Sequence, residues 1–207
     1  IDRKTEIINC AAKLFKEKGY SAITMRDIAQ VLDIKAASLY NHIKSKQEIL
    51  VLIIIEIAEE FTNKMEEIVN SEITSIQKLE KVIQLHINIT IRNPEALACL
   101  NNDWMHLTDK ELSYFIKMGE EYEENFRNII KSGIESKEIK NLNSEIIIFS
   151  IRSESLTCAS CFEISQDQTI YLNMKAGLIF GILATFLLFN FFSFSQEPTL
   201  LIENYLK

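Results

Sequence analysis

Apolar positions along this chain fall into a series of helical stripes, each opened by a capping residue. Over Thr5–Lys18, the residues Ile7, Ile8, Ala11, Ala12, Leu14 and Phe15 recur at helical spacing. Gly19 stands where a glycine ends a helix. Thr24 and Asp27 form a weak capping box, and Ile28, Ala29 and Leu32 give the short helix behind it one apolar face. The chain must then turn sharply at Asp33, a residue type that tolerates a left-handed backbone. Ile34 is an apolar plug for that turn. A second short helix is predicted over Lys35–His42, with Leu39 facing inward. Ser45 with Glu48 caps a long third helix that starts Lys46-Gln47-Glu48 and runs to about Asn70.

The same punctuation divides the rest. Thr74 with Gln77 opens a helix to about Arg92, and Asn93-Pro94-Glu95 places proline at a first helical position. Thr108 with Glu111 opens another to about Ser132, which Gly133 ends or kinks. Ser144–Phe162 reads as a further helix, and Pro198–Tyr205 as a short final one. Between them, Ala176–Ser195 holds no charged residue. At about 1.5 Å per residue that run is long enough for a bilayer core. It fits either a membrane anchor or a helix buried at a subunit interface. Gly177, Gly181 and Thr185 recur at four-residue spacing, which lets two helices approach closely in either setting.

Two short helices joined by a tight turn, with a third behind them, are how small folds present side chains to the DNA major groove. The residues of this segment closely resemble the DNA-binding domain of the TetR family of transcriptional repressors. The resemblance spans roughly Thr5–Leu52 and rests on Phe15, Gly19-Tyr20, Thr24-Met25-Arg26-Asp27-Ile28-Ala29 and Leu39-Tyr40-Asn41-His42-Ile43-Lys44-Ser45-Lys46. Three positions depart from the family pattern. Asp33 replaces the usual Gly, Lys35 a frequent Ser or Thr, and Ile43 the usual Phe.

The resemblance implies an all-α protein: a helix-turn-helix head over residues 1–50 and a larger ligand-binding and dimerisation body over residues 51–207. By carry-over, Lys35, Ala36, Ala37 and Asn41 face base edges. Thr24, Arg26, Tyr40, His42 and Lys46 hold phosphates. It further implies a homodimer on a palindromic double-stranded DNA operator, released by a small-molecule inducer. Family regulators pair through their last long helices. The uncharged run is therefore assigned to a dimer seam that includes Gly177, Gly181, Thr185 and Phe189, and a membrane partner is not expected. The alternatives are a family regulator with no ligand pocket and a membrane-associated helical protein.

Charge agrees with that division. Residues 1–50 carry nine Lys/Arg against six Asp/Glu, a balance of +3 in a chain of net charge −7, which leaves −10 to the remainder. A basic head on an acidic body suits phosphate at one end. The length of 207 residues, with 47% hydrophobic content, two prolines and five glycines, suits one or two helical units with a large core. The opening Ile1–Cys10 is charged, unlike a signal peptide, and four cysteines suggest no secretory disulfide framework. A cytoplasmic location is expected.

Candidate chemistry is sparse. Cys158 and Cys161 have redox spacing but no βαβ context, and zinc would need more ligands than this segment offers. No metal site and no cofactor are expected. Nothing reads as a nucleophile–base–orienter set or a glycine-rich phosphate loop, so no enzyme is expected. The body's aromatic and polar residues suggest a cavity between the helices of residues 76–132. Its expected contributors are Trp104, His106, Phe115 and Tyr122, with His86, Met105, Tyr114, Met118 and Phe126 as further candidates. Without a basic cluster there, the expected ligand is neutral or cationic and hydrophobic.

Overall fold

A computed structural model describes residues 2–139. The dimer-seam residues Gly177, Gly181, Thr185 and Phe189, the Cys158/Cys161 pair and the expected helices over 144–162 and 198–205 lie outside the described residues. The described part is all-helical: seven α-helices and two short 3-10 turns.

Helix α1 (Arg3–Lys18) is opened by Asp2, whose carboxylate accepts the Thr5 N–H at 2.8 Å. Gly19 closes it at φ +81°, a conformation that costs glycine little, and donates its N–H to the Phe15 carbonyl. A 3-10 turn over Tyr20–Ala22 leads to α2 (Met25–Val31). Both halves of the Thr24/Asp27 capping box form. Asp33 takes the left-handed conformation expected of it, at φ +52°. Around it the Asp33 N–H reaches the Gln30 carbonyl and the Ile34 N–H reaches Ala29. These two bonds make a Schellman ending, with aspartate where glycine is usual.

The second short helix is shorter than its sequence pattern predicts. Helix α3 covers Ala36–Leu39, and the chain then tightens, with Asn41 bonded to Ser38 and His42 to Leu39. Three-residue closures of this kind are how a helix end draws in. They swing Ile43 into the core, where it is 1% exposed. Helix α4 (Lys46–Val69) begins at Ser45, whose hydroxyl accepts the Glu48 N–H. The Glu48 carboxylate reaches one residue further back than a capping box does, to the Lys44 N–H at 2.7 Å.

Helices α5 (Ser75–Arg92), α6 (Pro94–Asp103) and α7 (Asp109–Glu135) follow, with the 3-10 turn Trp104–His106 between the last two. Thr74 and Gln77 complete their capping box; Thr108 caps α7 with no side-chain bond. Gly133 does not end α7, which continues two residues beyond it. Its lack of a side chain serves packing instead. A Cβ there would lie 2.4 Å from Ile139 Cδ1 and 2.8 Å from Ser75 Cβ.

Two apolar clusters share α4 as their spine. The first joins Ile7, Phe15, Ile28, Leu39 and Ile43 to Ile49, Leu50, Ile53 and Ile54, and also takes in Cys99 and Leu107 from beyond the head. The second gathers Ile57, Met65, Val82, Ile89, Leu97, Phe126 and Ile130. Each fully buried side chain of this size contributes about 1.5–3 kcal/mol. Leu39→Ala alone would cost about 2–5 kcal/mol and loosen α3 from its support. Among the described residues, no helix is long and apolar enough to cross a membrane.

Candidate DNA-reading surface and ligand cavity

The helix-turn-helix leaves most of the expected DNA residues exposed. Thr24, Arg26, Lys35, Ala37, Tyr40, Asn41 and His42 are exposed, while Ala36 is half-buried against the head core. Tyr40 stands 55% exposed. The Thr24 hydroxyl is engaged by its own cap, donating to Asp27 Oδ2 at 2.6 Å. Bonds from the Thr24 hydroxyl and N–H hold the Asp27 carboxyl below its usual range.

Lys46 differs from the sequence expectation. Its ammonium points into the head, donating to the carbonyls of Tyr20 and Ile23, each at 2.7 Å, and lies 4.1 Å from the Tyr20 ring centre. Partial burial lowers its pKa. Two of its three donors thus fasten α4 to the turn before α2. The motif spacing carried no sign of this.

The body holds a cavity of about 480 Å³ between α4, α5, α6 and α7. Trp104, Phe115 and Tyr122 line it as expected, and Trp104 stacks on Phe115 with ring centres 6.0 Å apart. Met118 and Phe126 line it too. Tyr114 does not: its hydroxyl donates to Glu59 outside the cavity, and Met105 is 61% exposed.

His106 must be corrected. It is absent from the cavity wall and turns toward the head, where its ring packs 5.0 Å from that of Tyr20 and its Nε2 lies 3.4 Å from Ser21 Oγ. The 3-10 turn is the reason, since at three residues per turn it points residues 104 and 106 in different directions. The imidazole that does line the cavity is His86, whose Nε2 lies 2.7 Å from the Tyr122 hydroxyl. Burial lowers the His86 pKa to about 4, so the ring is neutral at pH 7. Burial pushes the Tyr122 phenol well above its ordinary range.

Residues from α4 also line the wall: Ala58, Phe61 and Thr62. The sequence offered no hint of them beyond the apolar stripe of α4. Among the described residues the wall is mostly apolar and carries no Lys or Arg, while Glu120 and Glu123 contribute carboxylates.

Cavity and head meet at the 3-10 turn. Asp103, only 7% exposed, accepts the Tyr20 N–H at 3.4 Å, and burial raises its pKa. Trp104 follows it in the cavity. The His106 carbonyl then accepts Gln47 Nε2 at 2.9 Å. One turn of chain therefore touches the cavity, α1's end and α4's start together.

A helix-turn-helix head braced by a helical body that encloses a cavity defines a class of transcriptional regulators. The family model described as bacterial regulatory proteins, tetR family, matches residues 7–53, and the tetracyclin repressor-like C-terminal domain matches residues 72–154. The chain belongs to the TetR family of transcriptional regulators.

Among its relatives is the HTH-type transcriptional repressor KstR2 of Rhodococcus jostii, 30% identical over 133 residues, or 64% of this chain. The chain spans 65% of that relative's length, just under two thirds. The fold is similar to the solved structure of KstR2 of Mycobacterium tuberculosis. That likeness has a TM-score of 0.79 at 20% identity over 87% of this chain and 93% of the other. It is also similar to AibR solved with isovaleryl coenzyme A and operator DNA, with a TM-score of 0.67 at 19% identity over 77% and 86% of the two chains.

Proposed function

We propose that this protein is a cytoplasmic repressor that binds a palindromic operator as a homodimer and is released by a small hydrophobic inducer. Residues 1–50 serve as the DNA-binding unit and residues 51–207 as the ligand-binding and dimerisation unit. Lys35, Ala36, Ala37 and Asn41 read bases; Arg26, Tyr40 and His42 take phosphates, with Thr24 and Lys46 holding the head's shape beside them. Pairing runs through Gly177, Gly181, Thr185 and Phe189. The two heads then meet successive major grooves, about 34 Å apart.

The observation that carries this reading is the turn Trp104–His106. Trp104 lines the cavity while His106 packs on Tyr20 and binds Gln47. A ligand that displaces Trp104 disturbs the seat of the head. Ligand and DNA then favour different shapes of one molecule, which is the thermodynamic requirement for induction. The cavity itself favours this over a regulator with no ligand pocket. A solved neighbour, AibR, has been seen with both an acyl coenzyme A and operator DNA, so the fold can serve both.

The test is selection of bound sequences from a random duplex library, followed by titration at several salt concentrations. A palindromic consensus with a steep salt dependence is expected. Binding without sequence preference, or by a monomer, would defeat the proposal.

A further inference from the structure

The cavity contains one polar pair whose proton can be placed. His86 Nε2 and the Tyr122 hydroxyl lie 2.7 Å apart, and both residues line the cavity. The other ring nitrogen, His86 Nδ1, is buried with no hydrogen-bond partner among the described residues. A neutral imidazole carries its proton on one nitrogen and a lone pair on the other. If Tyr122 donated to Nε2, the proton would sit on Nδ1, a buried N–H with no acceptor. If Nε2–H donates to the Tyr122 oxygen, Nδ1 keeps only a lone pair. Orphaned N–H groups are the rarer defect in folded proteins. Burial also keeps the ring from carrying both protons. The Nε2–H form therefore prevails, and the Tyr122 O–H is left over.

The rest of the wall narrows what that proton meets. The Thr62 hydroxyl is spent on the Ala58 carbonyl at 2.6 Å. Glu123 is paired with Arg127 at 3.5 Å, and Glu120 is exposed. Among the described residues no Lys or Arg lines the cavity, so the described wall offers no match for an anion. The Tyr122 oxygen already accepts from His86, so it is a poor seat for an ammonium group.

We infer that Tyr122, oriented by His86, donates a hydrogen bond to an uncharged, largely apolar ligand that carries an acceptor oxygen such as a ketone or ester carbonyl. This rests on the reading of the cavity as the inducer site and takes the neutral of the two ligand classes that the sequence left open.

Two measurements test it. Long-range 15N–1H correlation of the wild-type protein reports the protonated nitrogen of each imidazole, and there are only three histidines. A neutral His86 with its proton on Nε2 is expected at pH 7; a proton on Nδ1 overturns the assignment. The second uses cyclododecanone, cyclododecane and cyclododecylamine as matched probes, read by the fluorescence of Trp104, the single tryptophan. The ketone should bind tightest. Tyr122→Phe should weaken it about tenfold, the ordinary worth of one hydrogen bond, and leave the hydrocarbon within about twofold. Preference for the amine, no ketone binding, or a ketone affinity indifferent to Tyr122→Phe would each overturn it. Failure of the repressor reading shows separately, as loss of sequence-selective DNA binding by the same wild-type preparation.

Discussion

Asp103 accepts a hydrogen bond from the Tyr20 N–H across 83 residues of sequence, at 3.4 Å and almost out of reach of water. Tyr20 in turn presents its hydroxyl to Gln47 Oε1 at 2.7 Å and its carbonyl to Lys46. The end of α1, the start of α4 and the end of α6 thus share one polar node. A buried amide that loses its acceptor costs about 1–3 kcal/mol. Asp103→Ala should lower unfolding stability by about that much, with an unchanged slope in urea. It should also weaken the link between ligand and DNA binding. A urea midpoint equal to wild type would show that the node contributes nothing.

His86 gives the protein a pH dependence of defined sign. Its folded pKa of about 4 lies below the ordinary 6.5, because burial disfavours the imidazolium. Above pH 6.5 the ring is neutral in both folded and unfolded chains, and the contribution is fully present. As pH falls from 6.5 toward 4 the unfolded chain takes up the proton first, so stability is lost over that window. A loss of order 2 kcal/mol is expected, the ring keeping an edge toward the cavity. His86→Phe should flatten this part of the profile, as urea titrations at stepped pH would reveal.

On the DNA surface, Arg26 and Lys35 should separate cleanly. Arg26→Ala removes a phosphate partner, so affinity should drop for all sequences and the salt slope should fall by about one. Lys35→Ala should relax preference at one operator position, at a cost of about 1–3 kcal/mol there. Lys46→Ala should instead lower the melting temperature of the free protein, since its ammonium holds the Tyr20 and Ile23 carbonyls. Binding curves on cognate and scrambled duplexes, with melting of each variant, distinguish the three.

Two glycines of α7 should respond oppositely to alanine. Gly133→Ala forces a Cβ against Ile139 and Ser75, which should cost about 1–3 kcal/mol. Gly119 has open space around its Cβ position. Alanine there should stabilise the helix by about 0.5–1 kcal/mol. Thermal melts of the two single variants check both signs.

Assembly can be tested in the uncharged run. Gly181→Leu should push paired helices apart and raise the dimer dissociation constant. Sedimentation finding a stable wild-type monomer at micromolar concentration would remove the dimer from the proposal.

Local chemistry was legible in the residue order. Thr24/Asp27 and Thr74/Gln77 form their boxes, Gly19 closes α1 and Asp33 takes the left-handed turn, because each involves groups within a few residues of one another. Fold class was legible for the same reason, since helical stripes and caps are properties of neighbours along the chain. What neighbours cannot encode is which distant groups will meet. His86 and Tyr122 are 36 residues apart, Gln47 and the His106 carbonyl 59, Tyr20 and Asp103 83. Only the packing of α5 against α7, of α1 against α6 and of α4 against α6 and the turn after it brings them together. The short turn at residues 104–106 then settled what composition could not: Trp104 entered the cavity and His106 went to the head, because a turn of three residues points residues two apart in different directions.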